Sequence, residues 1–247
     1  RKGGPNGGEK QAPKKRLYRA RAHSNPLNDQ AFEVPSTPNH VDWDALFPCR
    51  ADSGSSPSGE KKMVEFLDVG CGFGGYLIKL AELFPETLSL GLELRDKVKE
   101  YVRERIDTLR ENHRESGLYR NVACIRCNAQ KDFPHYFRKK QLKKIFFLFP
   151  DPHFKACNHR RRIITTTSLD EYAYFLDKGG LLYTITDVEQ LGKWMQDHLD
   201  AHPLYQRLTE EEVEEDPAAK FLPSASEEAQ KVARNAGQTY RAVYRRL

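Results

Sequence analysis

The stretch Met63-Val64-Glu65-Phe66-Leu67-Asp68-Val69 runs directly into Gly70-Cys71-Gly72-Phe73-Gly74-Gly75, and a run with helical spacing begins at Tyr76. A strand that turns on spaced glycines into a helix constrains the fold more than any other feature of the chain. Without a Cβ the backbone bends sharply and approaches a ligand closely. The helix points its first N–H groups at the same place. In an open parallel sheet that place lies beyond the carboxyl ends of the strands, where strand order reverses. A tight turn with no ligand has the same spacing, so the neighbouring residues must decide.

The rest of the chain alternates in the same way. The pattern predicts helices over 76–84, 97–114, 167–176 and 188–202 and strands over 63–69, 88–94, 121–126, 145–149 and 181–186. Pro85 ends the first helix, and Val98, Tyr101, Val102, Ile106 and Leu109 give the second its apolar face. The uninterrupted run Ile145-Phe146-Phe147-Leu148-Phe149 reads as a buried central strand. The expected architecture is α/β, a mostly parallel open sheet with helices on both faces.

At 247 residues the chain suits one such domain with tails. Residues 1–16, Gly, Pro, Lys and Gln with few apolar side chains, read as a disordered basic tail. Residues 17–62 read as an extended arm and flexible connector, pinned by Tyr18, Phe32, Trp43 and Phe47. Residues 63–247 form the expected catalytic domain. The chain opens on Arg1, so an upstream terminus is expected. No apolar run reaches membrane-spanning length. The five cysteines are odd in number and scattered, which fits a reducing, intracellular compartment. Cys124 and Cys127 have CxxC spacing without a second pair, so they read as sheet thiols rather than metal ligands.

Two carboxylates sharpen the glycine turn. Asp68 stands just before the first glycine, where it attracts an ammonium and repels a pyrophosphate. Glu93, ending the second strand, is placed to accept hydrogen bonds from ribose hydroxyls. Together they favour S-adenosylmethionine over a nicotinamide dinucleotide.

Phe149-Pro150-Asp151-Pro152-His153-Phe154 follows the most apolar strand. The prolines stiffen the turn and set Asp151 at the sheet edge. A carboxylate there can accept the Watson–Crick N–H groups of a purine, with His153 or Phe154 stacking on it. Lys155, His159, Arg160, Arg161 and Arg162 on one side, and Arg138, Lys139, Lys140, Lys143 and Lys144 on the other, supply charge for nucleic-acid phosphates. A solvated helix face is the alternative for each cluster. The formal charge of +5 permits an anionic partner.

These residues carry a family likeness. From about Lys14 onward the chain resembles the tRNA (guanine-N7)-methyltransferases, the eukaryotic branch more than the bacterial. The likeness rests on Arg21-Ala22-His23-Ser24-Asn25-Pro26, the glycine turn, Gly91-Leu92-Glu93-Leu94-Arg95, Phe147 through Lys155, and Tyr183-Thr184-Ile185-Thr186-Asp187. It implies a class I S-adenosylmethionine-dependent methyltransferase (Rossmann-like) fold that methylates a variable-loop guanine of tRNA. By matching position it implies cofactor contacts from Gly70, Glu93, Arg95, Asn128, Ala129, Leu148, Ser226 and Glu228. Asp151 matches the active-site residue, and Lys155 and Asp187 match substrate contacts. Serine at 226 replaces the usual threonine, and Ala156-Cys157-Asn158 is less basic than in relatives. The likeness also implies a noncatalytic β-propeller partner and a nuclear location, with no metal.

Two segments remain. Arg19 and Arg21 precede Ser24 as in a basophilic kinase site, where phosphate would repel RNA; an unmodified RNA-facing arm is the alternative. The acidic run Glu210 through Asp216 is expected to be a solvated loop facing away from RNA. Competing functions are N7 methylation of another RNA or a cap guanine, and a noncatalytic RNA-binding subunit that retains the fold.

Overall fold

A computed structural model describes residues 9–18, 20, 25–26, 32–52 and 61–247. Ser24 and residues 1–8 lie outside them. The elements in chain order are α1 (Trp43–Leu46), α2 (Pro48–Asp52), β1 (Val64–Val69), α3 (Gly75–Leu83), β2 (Leu88–Glu93), α4 (Asp96–Asn112), β3 (Val122–Arg126) and α5 (Phe133–Tyr136). There follow β4 (Leu142–Leu148), α6 (Thr166–Phe175), β5 (Leu176–Thr186), α7 (Glu189–Asp200), β6 (Tyr205–Arg207), α8 (Glu210–Glu215), α9 (Glu227–Arg234) and β7 (Tyr240–Arg246).

The sheet order is β3-β2-β1-β4-β5-β7-β6, with β1 to β5 mutually parallel and β7 antiparallel to both β5 and β6. The order reverses between β1 and β4, which makes their carboxyl ends the switch point. Side chains alternate across the sheet with a period of two. Ile145 and Phe147 of β4 join the apolar cluster that holds Tyr172 of α6 and Met195 of α7. Phe146 and Leu148 face the other way, with Tyr76 and Leu80 of α3 and Val213 of α8. Helices therefore cover both faces, as the sequence pattern predicts. Cys124 and Cys127 fall into different apolar clusters.

Several expectations are corrected. The run Glu210–Glu215 is a helix, not a loop. Thr209 and Glu212 form a reciprocal capping box, and Arg241 and Arg245 of β7 neutralise Glu210 and Glu212. Asp216 is not solvated: it binds Lys144 at 2.5 Å and the Tyr183 hydroxyl at 2.6 Å. Lys144 is thus committed internally, and Lys143 pairs with Glu65. The cluster from Arg138 to Lys144 sits at the start of β4, whereas Asp151 follows its end. Seven strand residues separate these edges, about 20 Å at about 3.3 Å per residue. Clusters that flank a strand in sequence lie at its opposite ends in space. Helix α6 ends at Phe175, and β5 begins at once rather than after Gly179-Gly180.

Residues 9–16 also depart from a tail's behaviour. The Lys10 backbone exchanges two hydrogen bonds with the Asn112 side chain, and Lys15–Tyr18 form a turn of 3-10 helix against α4. Tyr18 donates to Glu104 at 2.5 Å and packs edge-on against Tyr101. Composition hides this because its anchors are polar. No helix among the described residues is long and apolar enough to cross a membrane.

The Lys144–Asp216 pair makes a stability prediction. Asp216→Ala leaves a largely buried ammonium without its carboxylate, which costs about 3–5 kcal/mol. The urea midpoint of unfolding should fall accordingly. An unchanged midpoint would show the pair to be dispensable.

Candidate active site

A cleft of about 470 Å³ opens at the carboxyl ends of the parallel strands. Its walls come from the segments after β1 (Asp68–Phe73), β2 (Leu92–Arg95), β3 (Cys127–Gln130), β4 (Leu148–His153) and β5 (Asp187, Val188), closed by Pro26 and by Ser226–Glu228. Its size suits a small organic ligand.

The floor is the glycine turn. Gly70, Gly72 and Gly74 all adopt left-handed φ, between +55° and +77°, which side chains rarely tolerate. The N–H groups of Gly70 and Cys71 both donate to the Leu92 carbonyl, tying the turn to the end of β2. At Gly74 an added Cβ would lie 2.9 Å from Val102, so the glycine also lets α3 press against α4.

Asp68 is 2% exposed, and its Oδ2 has no hydrogen-bond partner. Burial, reinforced by Glu227 and Glu93, pushes its carboxyl up to about 8. An unsatisfied buried acceptor in a cleft wall is costly unless a ligand meets it. Glu93, 4% exposed, holds Arg95: Oε1 accepts the Arg95 backbone N–H (2.9 Å) and Nε (3.0 Å), and Oε2 accepts Nη2 (2.8 Å). Oε2 keeps a lone pair for a hydroxyl donor. The Glu93 hydrogen bond raises the Arg95 pKa, and the charge of Asp151 adds to the effect.

On the opposite wall Phe149 takes φ +50° and His153 φ +44°, bracketing Pro150-Asp151-Pro152. A bulky residue held there stores about 1–3 kcal/mol of strain and persists only where neighbours enforce it. Two bonds do so: Phe149 N–H donates to the Ile185 carbonyl at 2.8 Å, and Arg162 Nε to the Pro152 carbonyl at 2.9 Å. Arg162 is buried, with its guanidinium over Trp194.

The structure brings most of the sequence-derived candidates to this cleft. Gly70, Glu93, Arg95, Asn128, Ala129, Leu148, Asp151, Asp187, Ser226 and Glu228 all line it. Asn128 is engaged, donating to the Pro26 carbonyl (2.6 Å) and accepting from Gln130 N–H (3.1 Å). Ser226 caps α9 by accepting from Ala229 N–H. Lys155 is exposed outside the lining, beside Phe154, which is 68% exposed. Of the arginines that follow, Arg161 reaches the wall. The family likeness covers Ser226-Glu227-Glu228 but gives cofactor contacts only to the outer two; Glu227 contacts the turn directly, its Oε2 accepting Gly75 N–H at 3.0 Å. The available signal was an acid in the first turn of a serine-capped helix. No group of three or more potential metal ligands occurs among the described residues.

Comparisons with known proteins place the chain in a family. Residues 62–242 match the family described as "Putative methyltransferase". The chain is 58% identical to the tRNA (guanine-N(7)-)-methyltransferase of Arabidopsis thaliana over 95% of its length and 92% of the relative's. Proteins of the same name from Zea mays and Drosophila yakuba are 54% and 53% identical, over 95% of this chain and 93% and 89% of theirs.

Proposed function

The chain belongs to the tRNA (guanine-N7)-methyltransferase family, and we propose that it moves a methyl group from S-adenosylmethionine to N7 of a variable-loop guanine in tRNA. The observation that carries this reading is the unsatisfied, buried Asp68 Oδ2 beside a left-handed glycine turn. An ammonium would satisfy it, and the amino-acid part of the donor carries one. A pyrophosphate would be repelled. The donor fits the remaining residues: Gly70 at its backbone, Glu93 and Arg95 at the ribose end, Asn128, Ala129 and Leu148 around the base, Ser226 and Glu228 across the opening. In this reading residues 63–247 are the catalytic unit.

When bound, the donor supplies an electrophilic methyl on a sulfonium. Guanine N7 has an in-plane lone pair that is unprotonated at neutral pH, so no residue need act as a base. The N7–carbon bond forms as the carbon–sulfur bond breaks, and the positive charge passes to the base. The protein's task is alignment, a contribution on the order of 7–11 kcal/mol at best. Asp151 accepts the Watson–Crick N–H groups of the guanine and offsets the charge that develops. In this reading Asp187 in the cleft wall and Lys155 outside it meet the substrate, and Arg161 a phosphate. The likeness to the eukaryotic branch supports a noncatalytic β-propeller partner and a nuclear location.

The test is incubation with total tRNA and S-adenosylmethionine, with and without such a partner, followed by nucleoside analysis. N7-methylguanosine should form in tRNA and resist competition by a cap analogue. Suppression by the cap analogue would move the substrate to capped RNA, and failure to bind the donor would leave a noncatalytic RNA-binding protein.

A further inference from the structure

Three segments distant in sequence converge on the Glu227 carboxylate of α9. Its Oε2 accepts the N–H of Gly75, the first residue of α3. Its Oε1 accepts Lys15 Nζ at 3.0 Å and Arg105 Nη1 at 2.9 Å. Arg105 Nη1 also donates to the Phe73 carbonyl at 2.9 Å, and Lys15 Nζ lies 5.2 Å from the centre of the Phe73 ring. The glycine turn is thus held at its backbone by a residue of α9 and one of α4, while the N-terminal segment closes the set from outside.

The site is built closely. A Cβ on Gly75 would lie 2.6 Å from both Glu227 Oε2 and the Ala225 carbonyl, so the turn and the approach to α9 meet there without space for a side chain. Glu227 is 20% exposed and lines the cleft, while Lys15 and Arg105 stand behind it. A carboxylate at a helix N-terminus is electrostatically favoured. Two cations behind it hold it charged and fixed in direction: they keep its carboxyl below the usual range, although burial works the other way. Lys15 does not drift freely, because Lys10 and Tyr18 on either side are bound to Asn112 and Glu104 of α4.

We propose that Glu227 is a positioning residue for the glycine turn, and that docking of the N-terminal segment through Lys15 sets how tightly the cleft holds its methyl donor. This inference rests on the donor reading above and deepens it. The contact is absent from the set implied by family likeness, which names Ser226 and Glu228 on either side. In the structure Ser226 serves α9 as its cap, and Glu228 approaches Lys231 at 3.6 Å. The middle residue alone reaches the turn.

The test is calorimetric titration with S-adenosylhomocysteine, together with steady-state methylation of tRNA, on the full chain and on Lys15→Met, Glu227→Gln and the double variant. Loss of a charge-assisted bond predicts that Glu227→Gln weakens binding about tenfold and raises KM for the donor in parallel, with kcat at saturation within about twofold. Lys15→Met is expected to weaken binding about threefold in the presence of Glu227 and to add nothing to Glu227→Gln, the sign of a shared network. Glu227→Asp should recover part of the loss. Lys15→Met alters an exposed side chain, so it stands as a test even should Glu227→Gln fold poorly. Normal affinity in Lys15→Met, or losses that simply add, overturns the inference. An unaltered chain that does not bind S-adenosylhomocysteine sinks the donor reading and the inference together; binding indifferent to both substitutions sinks the inference alone.

Discussion

Replacing Asp151 by alanine is expected to lower kcat for guanine methylation about 100- to 1,000-fold, the usual loss when a preorganised electrostatic contact to the transition state is removed. Donor affinity should stay within a few-fold, because Asp151 leaves the glycine turn and Glu93 in place. The turn that presents it is framed by Pro150 and Pro152 and held by the Phe149–Ile185 and Arg162–Pro152 bonds, so truncating the side chain leaves the backbone set. Single-turnover rates at saturating tRNA, alongside calorimetry, separate the two quantities. A carboxylate that orients and offsets charge without taking a proton also predicts that Asp151→Asn keeps part of the rate. Near-normal turnover in Asp151→Ala would refute the assignment.

Donor affinity should follow a bell in pH with its maximum near 8. The Asp68 carboxyl is pushed up to about 8, first by burial and then by Glu227 and Glu93. Below that value the free protein carries Asp68 protonated, and binding an ammonium must expel the proton. Affinity therefore falls as pH drops, approaching tenfold per unit well below 8, so that Asp68 alone accounts for about 50-fold from pH 8 to pH 6. Above about 8 the donor's own α-amino group loses its proton, and affinity falls again. Calorimetry in buffers of different ionisation enthalpy would show release of about one proton at pH 6.5. Asp68→Asn removes the acid limb and weakens binding at pH 8. An acid limb that persists unchanged in Asp68→Asn contradicts the pairing of Asp68 with the ammonium.

The parts of this molecule that could be read from sequence are those where one local rule acts alone. β1, the turn and α3 fall where expected because alternation, glycine and Pro85 each mark a boundary that nothing remote overrides. Glu93 and Asp151 both line the cleft because parallel strands all deliver their carboxyl ends to one edge. The same geometry explains the misplaced basic cluster: residues 138–144 enter β4 at the far edge, and Lys144 is drawn inward by Asp216, 72 residues later. β7 escaped notice because tyrosine and arginine make up five of its seven residues, and its buried contribution is confined to Ala242, Val243 and Tyr244. Glu227 was hidden for a related reason. Its partners lie 152, 122 and 212 residues away, a convergence that only the folded chain brings about.

Methylation by this cleft is directed at N7 of one guanine in tRNA. The most direct test is methyl transfer to two transcripts of one tRNA, one intact and one with the variable-loop guanine replaced by adenine, read by nucleoside mass spectrometry. N7-methylguanosine should approach one per intact transcript and be absent from the substituted one. Equal methylation of both transcripts, or label in any other nucleoside, would contradict it.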